Sequence, residues 1–419
     1  MTRSTDLIHH LYQPPKEFEA PQVGVFKAST VIFPNVAAMR TREWMDKSAY
    51  TYGLHGTPTT FTLEERLATL EGGTHCILTP SGLSAIAHVD LALLKTGDEV
   101  LIPDNAYAPN KSLAEGELAH LGITHQVYDP MDVNDLATRM NERTRLVWLE
   151  AAGSVTMEFP DLVAMVQLCK ARGVLCALDN TWGAGLAFNA FDLTPGQGEL
   201  GVDLTIHALT KYPSGGGDVL MGSIVTRSDA LARVLKLSHM RLGTGVGAND
   251  AELVLRSLSS MPLRYRAQDK AARSLAAWCT GQAAFSQVLH PALSHSPGHG
   301  HWQQLCVTSH EPEGLAAGIF SVVVDARFPA HAVDVFCDSL KLFKIGYSWG
   351  GPMSLVMPYN MTSSRKLPTD HLQRGRVVRM CIGLEDVNDL QNDIMQALQQ
   401  ANLHIEDTRR GGVHAAAGT

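Results

Sequence analysis

The stretch that decides the fold is LGVDLTIHALTKYPSGGGDV, residues 200–219. An apolar, β-branched run ends in Thr210 and Lys211, and three consecutive glycines follow shortly after it. The run predicts a buried strand, and the glycines predict a sharp turn, because glycine turns without a side chain in the way. Open α/β folds bind ligands at the carboxyl edge of the sheet, so Lys211 is predicted to place an amine at a ligand-binding edge.

Short apolar runs alternate with helical patterns around this stretch, from about residue 61 to about residue 260. The strand-like runs read HCILTP, EVLIP, ITHQVYDP, RLVWLE, VLCALDN and VLMGSIV, and patterns such as FPDLVAMVQLCKARG separate several of them. This alternation predicts βαβ units, and therefore an α/β fold with a mostly parallel central sheet and flanking helices. The first helix is expected in residues 62–73, where Thr62 and Glu65 have capping-box spacing.

The chain divides into regions by composition and periodicity. The chain has 419 residues, more than a single hydrophobic core usually organises, so more than one subdomain is expected. Residues 1–60 show little periodicity and are predicted to form an extended N-terminal arm, and residues 61–260 form the main domain. Residues 261–405 contain long helical patterns and the strand-like runs GIFSVVVD and RVVRMCIG, which predict a smaller α+β domain. Residues 406–419 are expected to be a disordered tail.

Composition excludes several classes of protein. The formal net charge of −8, without a long Lys/Arg run, argues against nucleic-acid binding. The sequence lacks an apolar stretch of about 18 residues, so no membrane span is expected. Its first residues lack the apolar core of a secretory signal. The seven cysteines are scattered and form no C-x-x-C pair, which is typical of reduced thiols, so we expect a cytoplasmic protein.

Polar residues follow three of the predicted strands. Asp179 ends VLCALD, Lys211 follows DLTIHALT, and Ser81-Gly82-Leu83 follows CILTP and opens a helix. The carboxyl ends of parallel strands meet at one edge, where a helix N-terminus binds anions, a lysine can form a Schiff base, and a carboxylate can hold a ring nitrogen protonated. Together these features describe a pyridoxal phosphate (PLP) site. Taken singly, Asp179 could also be a helix cap and Lys211 a solvated strand end.

A set of motifs also carries a family resemblance. The pieces YGLHGTPTT, LEGG, PSG, LDNTWGAG, HALTKY and IGLEDV occur in order between about residue 28 and residue 405. As a set they resemble the Cys/Met-metabolism family of fold-type I PLP enzymes. LEAAGSVTMEFPD (149–161) and YSWGGPMSL (347–355) are most similar to its bacterial cystathionine β-lyase branch. The resemblance implies β-elimination of L-cystathionine to homocysteine, pyruvate and ammonia.

The resemblance implies cofactor-binding roles for the matching residues. Lys211 would bind the PLP aldehyde as a Schiff base and act as a catalytic base, and Asp179 would pair with the pyridine nitrogen. Tyr107 would stack on the cofactor ring and assist proton transfer. The phosphate would be held by the backbone amides of Gly82 and Leu83 together with Thr210.

Further residues would bind the substrate or reach a second subunit. Arg379 would hold the α-carboxylate of a small amino-acid substrate, which suits a planar two-pronged donor. The substrate side would also be lined by Ser154, Ser348 and Trp349. Tyr52 would reach the phosphate of a neighbouring subunit, and the family implies dimers that share their sites and pair into a homotetramer.

The sequence departs from the family pattern at two positions. Relatives often carry arginine two residues after the arm tyrosine, where this chain has Leu54 followed by His55. Many carry a hydroxyl residue three positions before the lysine, where this chain has Ala208. The phosphate would therefore be bound by fewer groups, and the contact with Thr210 would matter more, unless His55 or another basic group replaces the missing arginine.

Other activities remain open from the sequence. Cystathionine γ-lyase, γ-synthase, methionine γ-lyase and cysteine desulfhydrase are alternatives within the family. Methionine lyases tend to carry cysteine near the stacking tyrosine, whereas Ala108, Pro109 and Asn110 follow Tyr107 here. A PLP-binding regulator without turnover is an alternative from another class, but the presence of a carboxylate-binding arginine favours an enzyme.

Two further motifs resemble ligand sites but are not interpreted as such. Four histidines cluster in HPALSHSPGHGHW, residues 290–302, at spacings that could suit a metal. The segment has no carboxylate and is interpreted as a loop, so no metal is expected. The glycine-rich GTGVGA (243–248) lacks the preceding strand of a dinucleotide-binding motif.

Overall fold

The computed structural model describes residues 5, 7–9, 22–45, 47, 49–197, 199–361 and 365–403. The predicted tail at 406–419 lies outside the described residues, as does part of the predicted arm. Within the described residues, no helix combines the length and the apolar character needed to span a bilayer.

The described residues form α-helices and two sheets. The α-helices are α1 Val36–Thr41, α2 Pro58–Glu71, α3 Gly82–Leu93, α4 Ala108–Leu113, α5 Val133–Arg139, α6 Leu162–Arg172, α7 Asp229–Leu242, α8 Ala248–Leu258, α9 Met261–Cys279, α10 His299–Cys306, α11 Ala330–Ser339 and α12 Val387–Gln400. A short 3₁₀ turn spans Gly53–His55, and a π-type turn spans Ala114–Leu118.

The strands fall into two groups along the chain. They are β1 His75–Thr79, β2 Glu99–Pro103, β3 Thr124–Tyr128, β4 Thr144–Glu150, β5 Leu175–Asp179, β6 Leu204–Ala208, β7 Gly222–Thr226, β8 Phe285–Leu289, β9 Ile319–Asp325, β10 Lys344–Ile345, β11 Leu355–Tyr359 and β12 Gly375–Cys381.

The larger sheet has the strand order β1-β7-β6-β5-β4-β2-β3. Neighbouring strands from β6 to β3 are parallel, whereas β7 pairs antiparallel with both β6 and β1. The smaller sheet has the order β10-β11-β12-β9-β8 and is antiparallel except at β10–β11. The predicted α/β class, with a mostly parallel sheet and a smaller α+β part, is therefore confirmed.

The parallel strands are apolar on both faces because helices cover both faces. Along β4, Leu146 and Trp148 belong to one buried cluster, and Val147 and Leu149 belong to the other. Successive side chains of a strand point to opposite faces, so an uninterrupted apolar run is what a sheet buried on both sides requires. The polar residues that end such runs are thereby placed at the rim of the sheet.

The first main-domain helix begins earlier than the sequence predicts. Its capping box is formed by Thr57 and Thr60, whose hydroxyls each accept the other's backbone N–H, at 3.4 and 2.8 Å. Pro58 occupies the first helical position, where its missing N–H costs nothing. The expected box of Thr62 and Glu65 is wrong, since Thr62 lies inside the helix and donates its hydroxyl to the Pro58 carbonyl at 2.7 Å.

Candidate active site

Two carboxyl groups meet at the carboxyl edge of the larger sheet. Glu150 and Asp179 are the last residues of β4 and β5 and are register partners. Glu150 accepts the backbone N–H of Tyr107 at 2.7 Å and further hydrogen bonds from Ser154. Burial and the neighbouring Asp179 raise the pKa of Glu150 to about 8, which favours its neutral form.

Sequence reasoning selected Asp179 and missed Glu150. The available signal was the same for both, because RLVWLE and VLCALD are apolar runs that each end in an acid. Burial raises the pKa of Asp179, and the N–H of Thr181 donates to its Oδ1 at 3.0 Å. A cationic partner such as a protonated ring nitrogen would stabilise the charged form of this buried carboxylate.

The Lys211 amine, which follows β6, contacts the loop between β10 and β11. Its Nζ donates to Ser348 Oγ at 2.9 Å and lies 5.6 Å from the centre of the Trp349 ring. Burial, followed by the nearby charge of Arg379, lowers the pKa of Lys211 to about 8. A larger share of this amine is therefore neutral at neutral pH than for an exposed lysine, as a nucleophile or a base requires.

The loop that supplies Ser348 is held in an unusual conformation. Ser348 has a φ of 125°, a region that L-residues rarely adopt, and Gly350 has a φ of 80°. A Cβ on Gly350 would lie 2.9 Å from the backbone nitrogen of Tyr212, so the loop requires glycine there. The Tyr212 hydroxyl accepts the Gly318 N–H at 2.7 Å, which fixes the residue after Lys211 to the smaller-sheet region. Sequence reasoning did not identify Tyr212.

Arg379 provides a cationic group beside this loop. It lies on β12, is 9% exposed, and donates through Nη2 to the Ser348 carbonyl at 3.4 Å. The guanidinium stacks on the Tyr359 ring at 5.3 Å. Among the described residues its buried Nε has no hydrogen-bond partner. An unpaired buried donor on a planar guanidinium fits an incoming carboxylate.

The N-terminus of α3 provides a cradle for an anion. The Ser81 hydroxyl accepts the N–H of Ser84 at 3.0 Å, which leaves the first-turn N–H groups of Gly82 and Leu83 for a ligand. A Cβ on Gly82 would lie 2.6 Å from the Ala208 Cβ, so glycine lets the helix start this close to β6. The Thr210 hydroxyl lies 3.3–3.4 Å from the backbone of Met221, and it would have to turn to reach a phosphate.

These residues fit PLP. The helix start can take the phosphate, the Lys211 amine can take the aldehyde, and the buried Asp179 carboxyl can take the ring nitrogen. Tyr107 lies close enough for Asp179 and Glu150 to raise the pKa of its phenol, after the larger effect of burial. The structure thus brings together most of the predicted residues at one sheet edge.

Tyr52 stands apart from this group. It is 44% exposed, and in the described part of the chain its side chain contacts Ser29 and His55. The Nδ1 of His55 lies 2.8 Å from Thr51 Oγ1, and its ring packs on Trp44, so it is engaged within the arm. The predicted role of Tyr52 on a neighbouring subunit stays a prediction.

We expect Leu54→Arg to tighten PLP binding or leave it unchanged. Leu54 belongs to the 3₁₀ turn after Tyr52, and the family resemblance given above implies a phosphate-binding arginine at this position in many relatives. An added guanidinium near a phosphate gains charge-assisted hydrogen bonds. Titration of the cofactor-free variant with PLP, followed by absorbance, measures the effect, with Leu54→Met as the neutral control. A marked loss of affinity confined to the arginine variant would show that this position is misplaced.

The rate at which cofactor-free protein binds PLP covalently is expected to rise with pH up to about 8 and then level off. Only the neutral Lys211 amine can add to an aldehyde, and its pKa is lowered to about 8. Below that pKa the neutral fraction falls about tenfold per pH unit. Stopped-flow absorbance between pH 6 and 10 measures the midpoint. A midpoint near the ordinary lysine value of 10.5 would contradict the account.

The histidine-rich segment is a loop only in part, because its residues 299–302 form the first turn of α10. His290 is fully buried, and its Nδ1 accepts the Ala292 N–H at 3.3 Å. His299 lies with its Nδ1 2.8 Å from the Pro291 carbonyl. Across the described residues, no group of three His, Cys, Asp or Glu side chains is arranged to hold a metal ion.

Comparison with known proteins places these observations in a family. A model of the "Cys/Met metabolism PLP-dependent enzyme" family matches residues 4–399. A putative cystathionine β-lyase from Rhizobium johnstonii is 38% identical over 386 residues, which cover 90% of this chain and 91% of that protein. An L-alanine/L-glutamate racemase from Wolbachia pipientis is 32% identical over 363 residues, which cover 86% of this chain and 85% of that protein.

A solved structure has the same fold. The crystal structure of metB from Corynebacterium glutamicum superposes with a TM-score of 0.84 at 26% sequence identity. The match covers 96% of this chain and 99% of that chain. The likeness therefore extends over both sheets rather than over the PLP-binding region alone.

Proposed function

The chain belongs to the Cys/Met metabolism family of PLP-dependent enzymes and is a carbon–sulfur lyase. On that premise, we propose that it catalyses β-elimination from L-cystathionine. The reaction breaks the Cβ–S bond and, with water, gives homocysteine, pyruvate and ammonia. The contact between Lys211 Nζ and Ser348 Oγ at 2.9 Å carries the proposal. Membership of the family favours an enzyme over the regulator without turnover.

We assign the cofactor to the sheet edge described above. Gly82 and Leu83 would bind the phosphate through their N–H groups, Asp179 would bind the ring nitrogen, and Tyr107 would cover the ring. When bound, PLP withdraws electrons from the substrate Cα and so makes its proton acidic. The neighbouring Asp179 helps to raise the pKa of Glu150, and a neutral Glu150 would leave the negative charge of the two carboxyl groups on Asp179, where the ring nitrogen would need it.

The chain's own residues then divide the remaining work. Arg379 binds the substrate α-carboxylate through its unpaired Nε and so orients the Cα–H bond. The Lys211 amine removes the Cα proton, a step in which a positioned base contributes about 10²–10⁴-fold. The Trp349 ring lies beside the amine, with its centre 5.6 Å from Lys211 Nζ. Ser154, Ser348 and Trp349 line the space left for the sulfur-bearing side chain.

The tethered amine supports β- over γ-elimination. A β-elimination asks the base to act at Cα alone, whereas a γ-elimination also requires a proton to be moved at Cβ. Ser348 and the Trp349 ring hold Lys211 Nζ in one place, which suits a base with a single site of action. Identity of 38% to a putative cystathionine β-lyase supports the same activity.

Product analysis tests this function. Purified, PLP-loaded protein is given L-cystathionine, and the products are separated and identified. Pyruvate with homocysteine is the expected result, whereas 2-oxobutyrate with cysteine would reassign the chain to the γ-lyases. If L-cystathionine is not turned over although the PLP absorbance responds to amino acids, the assignment of L-cystathionine as the substrate is wrong. L-Cysteine and L-alanine are then the next compounds to test, for desulfhydration and for racemisation respectively.

A homotetramer of site-sharing dimers in the cytoplasm is part of the proposal. Exposed apolar side chains on the arm support a subunit interface, among them Ile32 at 82%, Val36 at 57% and Met39 at 48%. All seven cysteines are unpaired and buried, as expected for a reducing compartment. Light scattering coupled to size-exclusion chromatography measures the assembly, and a monomer would contradict it.

A further inference from the structure

A segment between β11 and β12 docks on the carboxyl edge of the larger sheet. Its residues 365–367 lie against the residues that follow β2 and β4. On the segment side the contacts come from the Arg365 side chain and the N–H groups of Lys366 and Leu367. On the sheet side they come from the carboxylates of Glu158 and Asp104. We call these five residues the clasp.

The first half of the clasp is a buried ion pair. Arg365 Nη2 lies 2.6 Å from Glu158 Oε1, and the two side chains are 6% and 0% exposed. Glu158 also accepts hydrogen bonds from Thr156 and from Asn105 Nδ2 (3.2 Å), and His371 Nε2 lies 2.9 Å from its Oε1. Although burial opposes ionisation, the positive charge of Arg365 and these hydrogen bonds lower the pKa of Glu158 to about 2. The pair is therefore charged throughout the working pH range.

The second half of the clasp holds the main chain of the segment. The N–H groups of Lys366 and Leu367 donate to the Asp104 carboxylate at 3.0 and 2.9 Å. Asp104 is buried, and Lys111 Nζ lies 3.5 Å from its Oδ1 while donating to its carbonyl at 2.7 Å. Two buried carboxylates, one directly after β2 and one in the chain that follows β4, thus hold three consecutive residues.

The elements joined by the clasp carry opposite sides of the site. Asn105 accepts the Ser154 N–H at 2.9 Å and lies two residues before Tyr107. On the other side, the segment connects β11, which carries Tyr359, to β12, which carries Arg379. The clasp therefore connects strands β11 and β12, the second of which carries Arg379, to the loops that carry Tyr107 and Ser154.

We propose that the clasp is a positioning device that sets the distance between Arg379 and the loops of Tyr107 and Ser154. This inference rests on the proposed function in one respect, namely that an amino-acid carboxylate binds Arg379. The clasp residues touch neither cofactor nor substrate in this account, and they act through the loops they hold. A misplacement of about 1 Å in such an arrangement can cost about 10²-fold in rate.

The test compares two Glu→Gln variants in the PLP-loaded protein. Glu158→Gln removes the buried charge while keeping the side-chain shape. Glu115→Gln is the matched control, because Glu115 forms an exposed ion pair with Lys366, with side-chain exposures of 47% and 49%. Arg365→Lys keeps the charge but loses the planar donor, and it serves as the conservative variant if Glu158→Gln folds poorly.

Three readouts separate positioning from mere stability. Hydrogen exchange of peptides covering residues 104–107 and 151–158 reports the loops, glycine titration of the PLP absorbance reports carboxylate binding, and PLP titration reports the cofactor. Glu158→Gln should speed exchange and weaken glycine binding by about tenfold or more, with PLP affinity changed by less than about threefold. Glu115→Gln should change neither the exchange rates nor the two affinities. Arg365→Lys should have effects between those of the two glutamine variants.

The opposite pattern would overturn the inference. Equal behaviour of Glu158→Gln and Glu115→Gln would show that the clasp positions nothing. A loss of PLP affinity in proportion to the loss of glycine affinity would show a general structural role. Glycine carries no leaving group, so this test stands even if L-cystathionine is not the substrate, and that failure would be seen separately in the product analysis.

Discussion

Lys211→Ala is expected to lower kcat for pyruvate formation from L-cystathionine by about 10⁴-fold or more. One side chain holds the cofactor covalently and also moves the Cα proton, and the base alone is worth about 10²–10⁴-fold. Lys211 Nζ is the amine that contacts Ser348 Oγ and the Trp349 ring, so the substitution removes this amine from the site. Coupled detection of pyruvate over hours measures the residual rate.

The control for this prediction is Lys170→Ala. Lys170 is a half-exposed lysine paired with Asp203. Asp203 directly precedes β6, at the opposite end of that strand from Lys211, so the loss of Lys170 should leave kcat unchanged. The account is wrong if Lys211→Ala keeps more than about 1% of the wild-type rate, since the effect of the base alone would then not have been removed. Absorbance of the variant should also lack the band that the wild type shows with PLP.

Arg379→Leu is expected to lower kcat/KM by about 10²–10³-fold, with most of the loss in KM. Removing one partner of a buried, hydrogen-bonded charge pair costs about 2–5 kcal/mol, and each 1.4 kcal/mol is about tenfold. Leucine leaves the substrate carboxylate without a cation beside Ser348 and Tyr359. Initial rates over a wide range of L-cystathionine concentrations separate KM from kcat.

Two further expected results test the role of Arg379. Arg379→Lys should recover only part of the loss, because a lysine keeps the charge but cannot present two parallel donors. The leucine variant should also shift the pH midpoint of PLP binding upward, since the charge of Arg379 helps to lower the pKa of Lys211. An unchanged KM in Arg379→Leu would show that the substrate carboxylate binds elsewhere.

The sequence predicts the sheet and the convergence of the site for a simple physical reason. In a parallel sheet covered on both faces, each strand reads as an apolar run, and the first polar residue after it lies at the rim. Asp179, Lys211 and the Gly82 turn are found by that rule. Arg379 and Trp349 are not, and they were placed by resemblance to a family.

The parts that the sequence does not predict are mostly long-range contacts. Arg365 and Glu158 are separated by 207 residues, and Tyr212 and Gly318 by 106. Neither pair leaves a local pattern, because any buried charge needs some partner and the sequence does not say which one. Glu150 is different, since its position at the end of RLVWLE was visible and could have been read by the rule that selected Asp179.

The capping error has a local cause. Thr57, Thr60 and Thr62 are all hydroxyl residues that can cap a helix, and Glu65 favoured the last of them. The structure begins the helix at Pro58, because proline is well suited to the first helical position and Thr57 precedes it. Proline after a hydroxyl residue was therefore the stronger signal for where the helix begins.

The measurement that tests the central claim most directly is the location of the covalent link to PLP. The PLP-loaded protein is reduced with borohydride, which converts a Schiff base to a stable amine, and its peptides are mapped by mass spectrometry. The account predicts that the cofactor is found on the peptide containing Lys211, at that residue. Attachment at another lysine, or no attachment in a protein that binds PLP, would contradict the claim that the chemistry is centred on Lys211.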